Sequence, residues 1–143
     1  AEGTVRLSRK VTLFFSVYEE VGHGASCGLP EDTEDLLVVD MGCVGEGLSC
    51  REQQVSICAK DSSGPYDYEM TGELIALAKS NGIDYAVDVY PAYGSDAAAA
   101  LRAGRDVRFA LIGAGVYASH GYERSHRKGV ENTLRLIEAV VTA

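Results

Sequence analysis

The chain has 143 residues, of which 46% are hydrophobic, and a formal charge of −8. This is enough apolar material for the core of one globular domain. The acidic balance, without a lysine- or arginine-rich stripe, argues against nucleic acid as a partner. No apolar stretch is long enough to cross a bilayer, and the first residues lack the features of a secretory signal. We therefore expect a cytoplasmic protein that does not bind a membrane.

Four cysteines are present, and none belongs to a C-x-x-C pair of the kind that holds structural zinc. Because the chain has many other core residues and no secretory signal, we expect reduced and mostly buried thiols rather than disulfides. The cysteines are Cys27, Cys43, Cys50 and Cys58.

The spacing of apolar residues predicts strands and helices in alternation. Residues 11–18 are rich in β-branched and aromatic side chains and predict a buried strand that ends at Glu19 and Glu20, before the break at Gly22. Shorter apolar runs predict four more strands, over residues 36–40, 55–59, 85–89 and 107–112.

Helical spacing predicts three helices between and after these strands. The first covers residues 67–80, the second begins at the cap Ser95-Asp96 and closes at Gly104, and the third covers the C-terminal residues. Helices between strands imply a largely parallel, mixed sheet flanked by helices on both faces. The sequence thus predicts a single α/β domain over residues 1–143. The last helix carries four apolar residues on one face: Val130, Leu134, Ile137 and Val141.

Acids and imidazoles follow consecutive predicted strands. In α/β sheets the edge beyond the carboxyl ends of the strands is where ligands bind, and carboxylate with imidazole suits Zn²⁺, Mn²⁺ or Co²⁺. Each residue also has an ordinary interpretation: Asp40 as a turn cap, Asp96 as a carboxylate in a first helical turn, and a lone histidine as a surface residue. The set consists of Glu19, Glu20, Asp40, Asp96, His120 and His126.

Three segments, in their order and approximate spacing, resemble the tetrahedral (TET) aminopeptidase family, two-metal metallopeptidases that include glutamyl aminopeptidase-like enzymes. They are residues 15–25 with the Glu-Glu pair, residues 93–97 with Gly-Ser-Asp-Ala, and residues 119–126 with two histidines. The resemblance implies a zinc-exopeptidase-like catalytic domain that hydrolyses N-terminal residues from short peptides. It also implies two divalent ions, zinc or cobalt, and homo-oligomers that are commonly dodecamers built from dimers.

The resemblance also implies roles for single residues. Glu19 would be the general base that activates a water between two metal ions, and Glu20 would bind one of the ions. Asp40 would bind the other ion, and His120 would join the ion of Glu20, with His126 as the runner-up. Ser95 and Asp96 would lie near the substrate.

The chain departs from the family pattern before Glu19. The family has an earlier His-x-Asp segment and a metal-bridging aspartate, whereas residues 1–18 contain no histidine and no aspartate. We therefore expect only the C-terminal part of a truncated catalytic domain. Such a chain should bind one ion or none, weakly, and should be inactive by itself although its parent is an aminopeptidase.

Two other functions remain open at this stage. A glycoside hydrolase could use Glu19 with a second acid as its carboxylate pair, and it would need no metal, so a chelator distinguishes it from a metallopeptidase. A non-catalytic α/β module for assembly or binding would need neither acid nor metal.

Overall fold

A mixed sheet of six strands runs through the centre of the computed structural model, which describes residues 6–143. Strand β1 pairs with β5 in parallel, β5 pairs with β2 in antiparallel, and β2 pairs with β4 in parallel. The two short strands β3 and β6 pair in antiparallel with β2 and β5. The strands are β1 (Asp35–Val44), β2 (Val55–Asp61), β3 (Gly64–Pro65), β4 (Tyr85–Val89), β5 (Arg108–Tyr117) and β6 (Arg124–Ser125).

Three helices cover the two faces of this sheet: α1 (Tyr68–Ser80), α2 (Asp96–Arg102) and α3 (Arg127–Thr142). Helices α1 and α3 pack on one face, where Leu74 and Leu136 meet the inward side chains of β2 and β5. On the opposite face Ala97 of α2 packs with Val38 and Leu111. The α/β class, with a mixed sheet and flanking helices, is therefore confirmed.

Helix α1 forms where its sequence signals place it. The carboxylate of Asp67 caps its first turn by accepting from the backbone N–H of Met70 at 2.7 Å. Its buried residues include Met70, Leu74 and Ala78, which recur at helical spacing. The helix ends at Asn81, and Gly82 follows with a left-handed φ of 58°.

The predicted strand over residues 11–18 is wrong, because these residues form an irregular, mostly exposed segment. Leu13, Phe15 and Val17 are 78%, 87% and 83% exposed. A strand is stabilised by pairing and burial more than by the intrinsic preference of its residues. Within the part of the chain that the structure describes, β1 pairs with β5 only, and residues 11–18 do not pair with it.

Two strands are longer than the sequence predicts. The run over residues 36–40 belongs to β1, which continues to Val44, so Asp40 lies inside the strand rather than at its end. Strand β5 likewise passes through Gly113 and ends at Tyr117. Added Cβ atoms at Gly113 and Gly115 would lie 2.2 and 2.3 Å from backbone oxygens of neighbouring segments, so these glycines allow close backbone approach inside the sheet.

The buried face of α3 is not the predicted apolar stripe. Val130 and Leu134 are 57% and 55% exposed, whereas Gly129, Asn132, Thr133 and Leu136 are buried. The small residue at Gly129 decides this rotation, because an added Cβ would lie 2.3 Å from the carbonyl oxygen of Glu52. At Gly129 the helix therefore packs closely against the segment that precedes β2. Two of the four residues of the predicted apolar stripe, Val130 and Leu134, remain exposed.

All four cysteines are free thiols: Cys50 and Cys58 are buried, Cys43 is half-buried and Cys27 is exposed. Among residues 6–143, none of the helices is both long and apolar enough to cross a membrane.

Candidate active site

The Glu-Glu pair lies in a single 3₁₀ turn, Glu19–Val21. Gly22 ends the turn with a left-handed φ of 78°, which glycine adopts without steric cost, and its N–H donates to the carbonyl of Glu19 at 2.8 Å. This tight turn makes the two neighbouring carboxylates differ in exposure. Glu19 is half-buried, whereas the side chain of Glu20 is 77% exposed.

Asp40 lies on the face of β1 that carries Val38, which packs in the cluster under α2. In the sheet it stands opposite Gly113 of β5. The hydroxyl of Tyr93 donates to the carbonyl oxygen of Met41 at 3.0 Å and lies close to the Asp40 carboxyl. Residues far apart in the sequence are thus brought to one place by the β1–β5 pairing and by the loop before α2.

Electrostatics show that the carboxylates are neighbours. Burial raises the pKa of Glu19, and the charges of Asp40, Asp96 and Glu20 raise it further. Burial likewise raises the pKa of Asp40, with a smaller contribution from Glu20 and Asp96 and an opposing one from hydrogen bonding. Like charges disfavour ionisation when they share a site. Glu19, Glu20, Asp40 and Asp96 therefore lie near enough to one another to interact electrostatically, and they are called the acidic cluster below.

Of the two candidate histidines, His120 is the one beside the acids. Its Nε2 lies 3.5 Å from Oε2 of Glu20, and its backbone N–H donates to the carboxylate of Glu123 at 3.0 Å. Ala118 and His120 have left-handed φ values of 58° and 63°. Non-glycine residues pay a steric cost in that conformation, and such residues are enriched at functional sites.

His126 has a different use in the structure. It is the N-cap of α3, and its Nδ1 accepts a hydrogen bond from the backbone N–H of Lys128 at 3.0 Å. An imidazole nitrogen that caps a helix is not free to bind a metal through the same atom. The geometry therefore favours His120 over the runner-up.

Ser95 and Asp96 differ in their surroundings although they are adjacent. Ser95 is 7% exposed, and its hydroxyl lies 2.8 Å from that of Tyr66. Asp96 is half-buried, its Oδ1 is shielded from solvent and accepts no hydrogen bond, and an added Cβ at Gly24 would lie 1.9 Å from that atom. The Asp96 carboxylate thus faces the turn that carries the Glu-Glu pair.

Three residues of the site region were missed by the sequence analysis: Asp61, Tyr66 and Tyr93. Tyr93 belongs to the same Tyr-Gly-Ser-Asp segment as Ser95, so its position was a usable signal. Asp61 opens an Asp-Ser-Ser-Gly turn, which indicates a turn but no role in a site. No sequence signal connects Tyr66 to the site.

The side chains at this site are of the types that bind a divalent ion, but within the described part of the chain too few of them lie close together to form a complete site. Carboxylate and imidazole oxygen and nitrogen atoms suit zinc, manganese or cobalt, and the unpartnered Oδ1 of Asp96 is an atom that a cation would satisfy. Glu20 and His120 are already adjacent. Nevertheless, over the described range 6–143 no group of three His, Cys, Asp or Glu side chains stands ready to hold an ion.

Sequence comparison relates this chain to peptidases. The family model described as M42 glutamyl aminopeptidase matches residues 3–136. The Bacillus subtilis protein YhfE, which is named as an aminopeptidase, is 46% identical over 119 residues, covering 83% of this chain and 34% of YhfE. The chain thus spans about a third of the length of the curated relative that it matches.

Structural comparison finds the same fold in TET peptidases. The Pyrococcus horikoshii TET1 peptidase, described as able to assemble into a tetrahedron or a large octahedral shell, is similar with a TM-score of 0.77 at 23% identity. The match covers 89% of this chain and 39% of that one. A TET aminopeptidase from a thaumarchaeotal archaeon of marine sediment matches with a TM-score of 0.68 at 18% identity, over 74% of this chain and 32% of its own.

Proposed function

This chain belongs to the M42 glutamyl aminopeptidase family, and we propose that it is the C-terminal part of the catalytic domain of a metal-dependent aminopeptidase. The parent protein would remove N-terminal residues from short peptides. The observation that carries the proposal is the meeting of Glu19, Glu20, Asp40 and His120, which come from separate parts of the sequence.

Glu19 is the proposed general base. Its carboxylate is half-buried, and burial together with the neighbouring acids raises its pKa. A base whose pKa lies nearer neutrality is better matched to taking a proton from water and returning it to a leaving amine. Glu20, in the same turn, is far more exposed, so the two carboxylates are suited to different tasks.

Glu20 and His120 are the proposed ligands of one divalent ion, and Asp40 is the proposed ligand of a second. When bound, such ions supply Lewis-acid polarisation of a carbonyl and lower the pKa of a coordinated water. Glu123 supports His120 by accepting from its backbone N–H, and the Tyr93 hydroxyl fixes the backbone beside Asp40. Zinc and cobalt are the metals we propose to test.

The isolated chain is proposed to be inactive and to bind one ion at most, weakly. No aspartate or histidine precedes Glu19 in the sequence, and among the described residues no third ligand joins Glu20 and His120. We further propose that the full-length protein self-assembles, because the Pyrococcus horikoshii relative forms a tetrahedron or an octahedral shell. A glycoside hydrolase leaves His120 and Asp40 without a role.

The test measures cobalt and zinc binding to this chain by isothermal titration calorimetry. Weak binding that is lost in Glu20→Ala and His120→Ala is the expected result. The matched control is His126→Asn, which removes the other imidazole but keeps an N-cap acceptor for α3. Loss of binding in the His126→Asn variant, with binding retained in His120→Ala, would exchange the two histidines and refute the proposed ligand set.

A second experiment tests the activity. In the full-length parent, Glu19→Gln should lower cleavage of an aminoacyl-anilide by about 10²–10⁴-fold, the usual contribution of a general base. A chelator should abolish the same activity. Cleavage that survives both the substitution and the chelator would favour a metal-free hydrolase, and equal cleavage by the isolated chain would refute its proposed inactivity.

A further inference from the structure

A buried chain of polar side chains connects the β2–β3 turn with the start of α2. Asp61, Tyr66 and Ser95 are 2%, 5% and 7% exposed. The Tyr66 hydroxyl lies 2.8 Å from Oδ2 of Asp61 and 2.8 Å from Oγ of Ser95. The other oxygen of Asp61 accepts from the backbone N–H of Ser63 at 2.7 Å. Each of these buried polar groups therefore has a partner, as burial requires.

The direction of the hydrogen bonds follows from the donors available. The Asp61 carboxylate only accepts, so the single proton of the Tyr66 hydroxyl is donated to it. Burial raises the pKa of Tyr66, so this proton stays in place. The Ser95 hydroxyl must then donate to Tyr66, and its side chain makes no capping hydrogen bond to α2.

The same turn also holds the backbone before Ser95. The N–H and the hydroxyl of Ser62 both donate to the carbonyl oxygen of Tyr93, at 3.0 and 2.5 Å. The loop that enters α2 is therefore fixed at two points, at Tyr93 and at Ser95. The next residue is Asp96, whose carboxylate fills the space where Gly24 lacks a Cβ.

We infer that Asp61 and Tyr66 are positioning residues for the acidic cluster: through Ser95 they fix Asp96 against Gly24, and thereby the turn that carries Glu19 and Glu20. The role of these residues in catalysis rests on the proposed function. The hydrogen bonds themselves do not depend on the proposed function. Ser95, on this view, acts through Asp96 rather than by touching substrate.

The experiment compares two buried tyrosines that each bond a serine. Tyr66→Phe removes the hydroxyl that holds Ser95, and Tyr90→Phe removes the hydroxyl that lies 2.7 Å from Ser56. Tyr66→Phe loses two buried hydrogen bonds and Tyr90→Phe loses one, so both should lower the thermal midpoint, Tyr66→Phe by more. Only Tyr66→Phe should shift the amide resonances of Gly24 and Asp96 in the metal-free chain. Ser95→Ala should reproduce these shifts, and Ser95→Thr, which keeps a hydroxyl, should restore the wild-type positions.

Cobalt titration of the same variants then tests the catalytic meaning. Supporting residues around a metal site are typically worth about 10–100-fold in affinity, so we expect about tenfold weaker binding in Tyr66→Phe and no change in Tyr90→Phe. Unchanged Gly24 and Asp96 resonances in Tyr66→Phe and Ser95→Ala would overturn the inference. If Tyr66→Phe does not fold, Ser95→Ala decides. A wild-type chain that binds no cobalt would agree with the proposal that the isolated chain binds one ion at most, and the resonances would then decide the positioning role.

Discussion

Gly24 shows how one residue connects two parts of the site. A Cβ at this position would lie 1.9 Å from Oδ1 of Asp96 and 2.5 Å from its Cγ. Because the clashing atoms belong to the end of a flexible side chain, rotation of the Asp96 carboxylate can relieve the clash without a change in the backbone. A methyl group here should therefore displace the carboxylate from the acidic cluster at a modest cost in stability.

The first prediction is that Gly24→Ala lowers the free energy of unfolding by about 1–2 kcal/mol, as overpacking typically does, and weakens cobalt binding. Chemical denaturation and calorimetry measure the two effects. Gly45→Ala is the matched control, because an added Cβ there has open space and the φ is not left-handed. Equal behaviour of the two variants would contradict the contact between Gly24 and Asp96.

The thiols offer a second test at the residue scale. Burial raises the pKa of both Cys50 and Cys58 to about 12, and Cys27 is exposed. Since the thiolate is the reactive form, iodoacetamide at pH 8 should modify Cys27 first and leave Cys50 and Cys58 until the chain unfolds. Peptide mass spectrometry after timed labelling gives the order, and early labelling of Cys58 would contradict its burial.

The raised pKa values of Cys50 and Cys58 also determine how the stability of the folded chain changes with pH. Unfolded thiols ionise near pH 9, whereas the folded ones keep their protons to about pH 12. Between these two pH values the folded state binds more protons than the unfolded state. The free energy of unfolding should therefore fall as the pH rises from 9 toward 12.

At the scale of elements, the sequence predicts best where local signals and burial agree. Helix α1 has a cap, an apolar face and a stop that all indicate the same boundaries, and it forms there. Residues 11–18 have strand-forming side chains, but within residues 6–143 no strand pairs with them, and local composition does not report which pairing partners a segment has. The α3 stripe was misassigned because the rotation depends on the contact of Gly129 with Glu52, which is remote in sequence.

The same distinction applies to the candidate site. The Glu-Glu pair, Asp40 and His120 could be proposed from the sequence because they match a family pattern, although the strand expected before the pair does not form and Asp40 lies inside β1. Tyr66 and Asp61 were not predictable, because a buried tyrosine and a turn aspartate are common and only the fold brings them to Ser95. Long-range hydrogen bonds of this kind leave no periodic signal in the sequence.

Residues 11–18 give the third prediction, at the scale of the element. Phe15→Ser and Val17→Ser should change the free energy of unfolding by less than about 0.5 kcal/mol, because exposed side chains contribute little to the folded state. Leu136→Ala, at a side chain with 0% exposure, is the contrasting variant and should cost about 2–5 kcal/mol. Urea denaturation compares the three. A cost of 2 kcal/mol or more in Phe15→Ser would show that this segment is packed in solution.

The whole molecule carries a formal charge of −8, and part of that charge is concentrated in the cluster of Glu19, Glu20, Asp40 and Asp96. Without a cation, the cluster opposes folding, because like charges are held together and partly removed from water. A metal ion bound there would reverse this contribution. In the proposed metal site, function and stability would therefore be coupled through the same carboxylates.

The pKa of Asp40 makes this coupling measurable. Its folded-state pKa is raised, first by burial, so the folded chain binds the proton more tightly than the unfolded chain does. The resulting cost to stability is absent below the ordinary value of 3.8 and develops as the pH rises above it. Asp40→Asn should therefore stabilise the metal-free chain at pH 7 and have little effect at pH 3. Urea denaturation at the two pH values, with Asp32→Asn as an exposed control, tests this. A stabilisation equal at both pH values would show that the charge of Asp40 is not its cause.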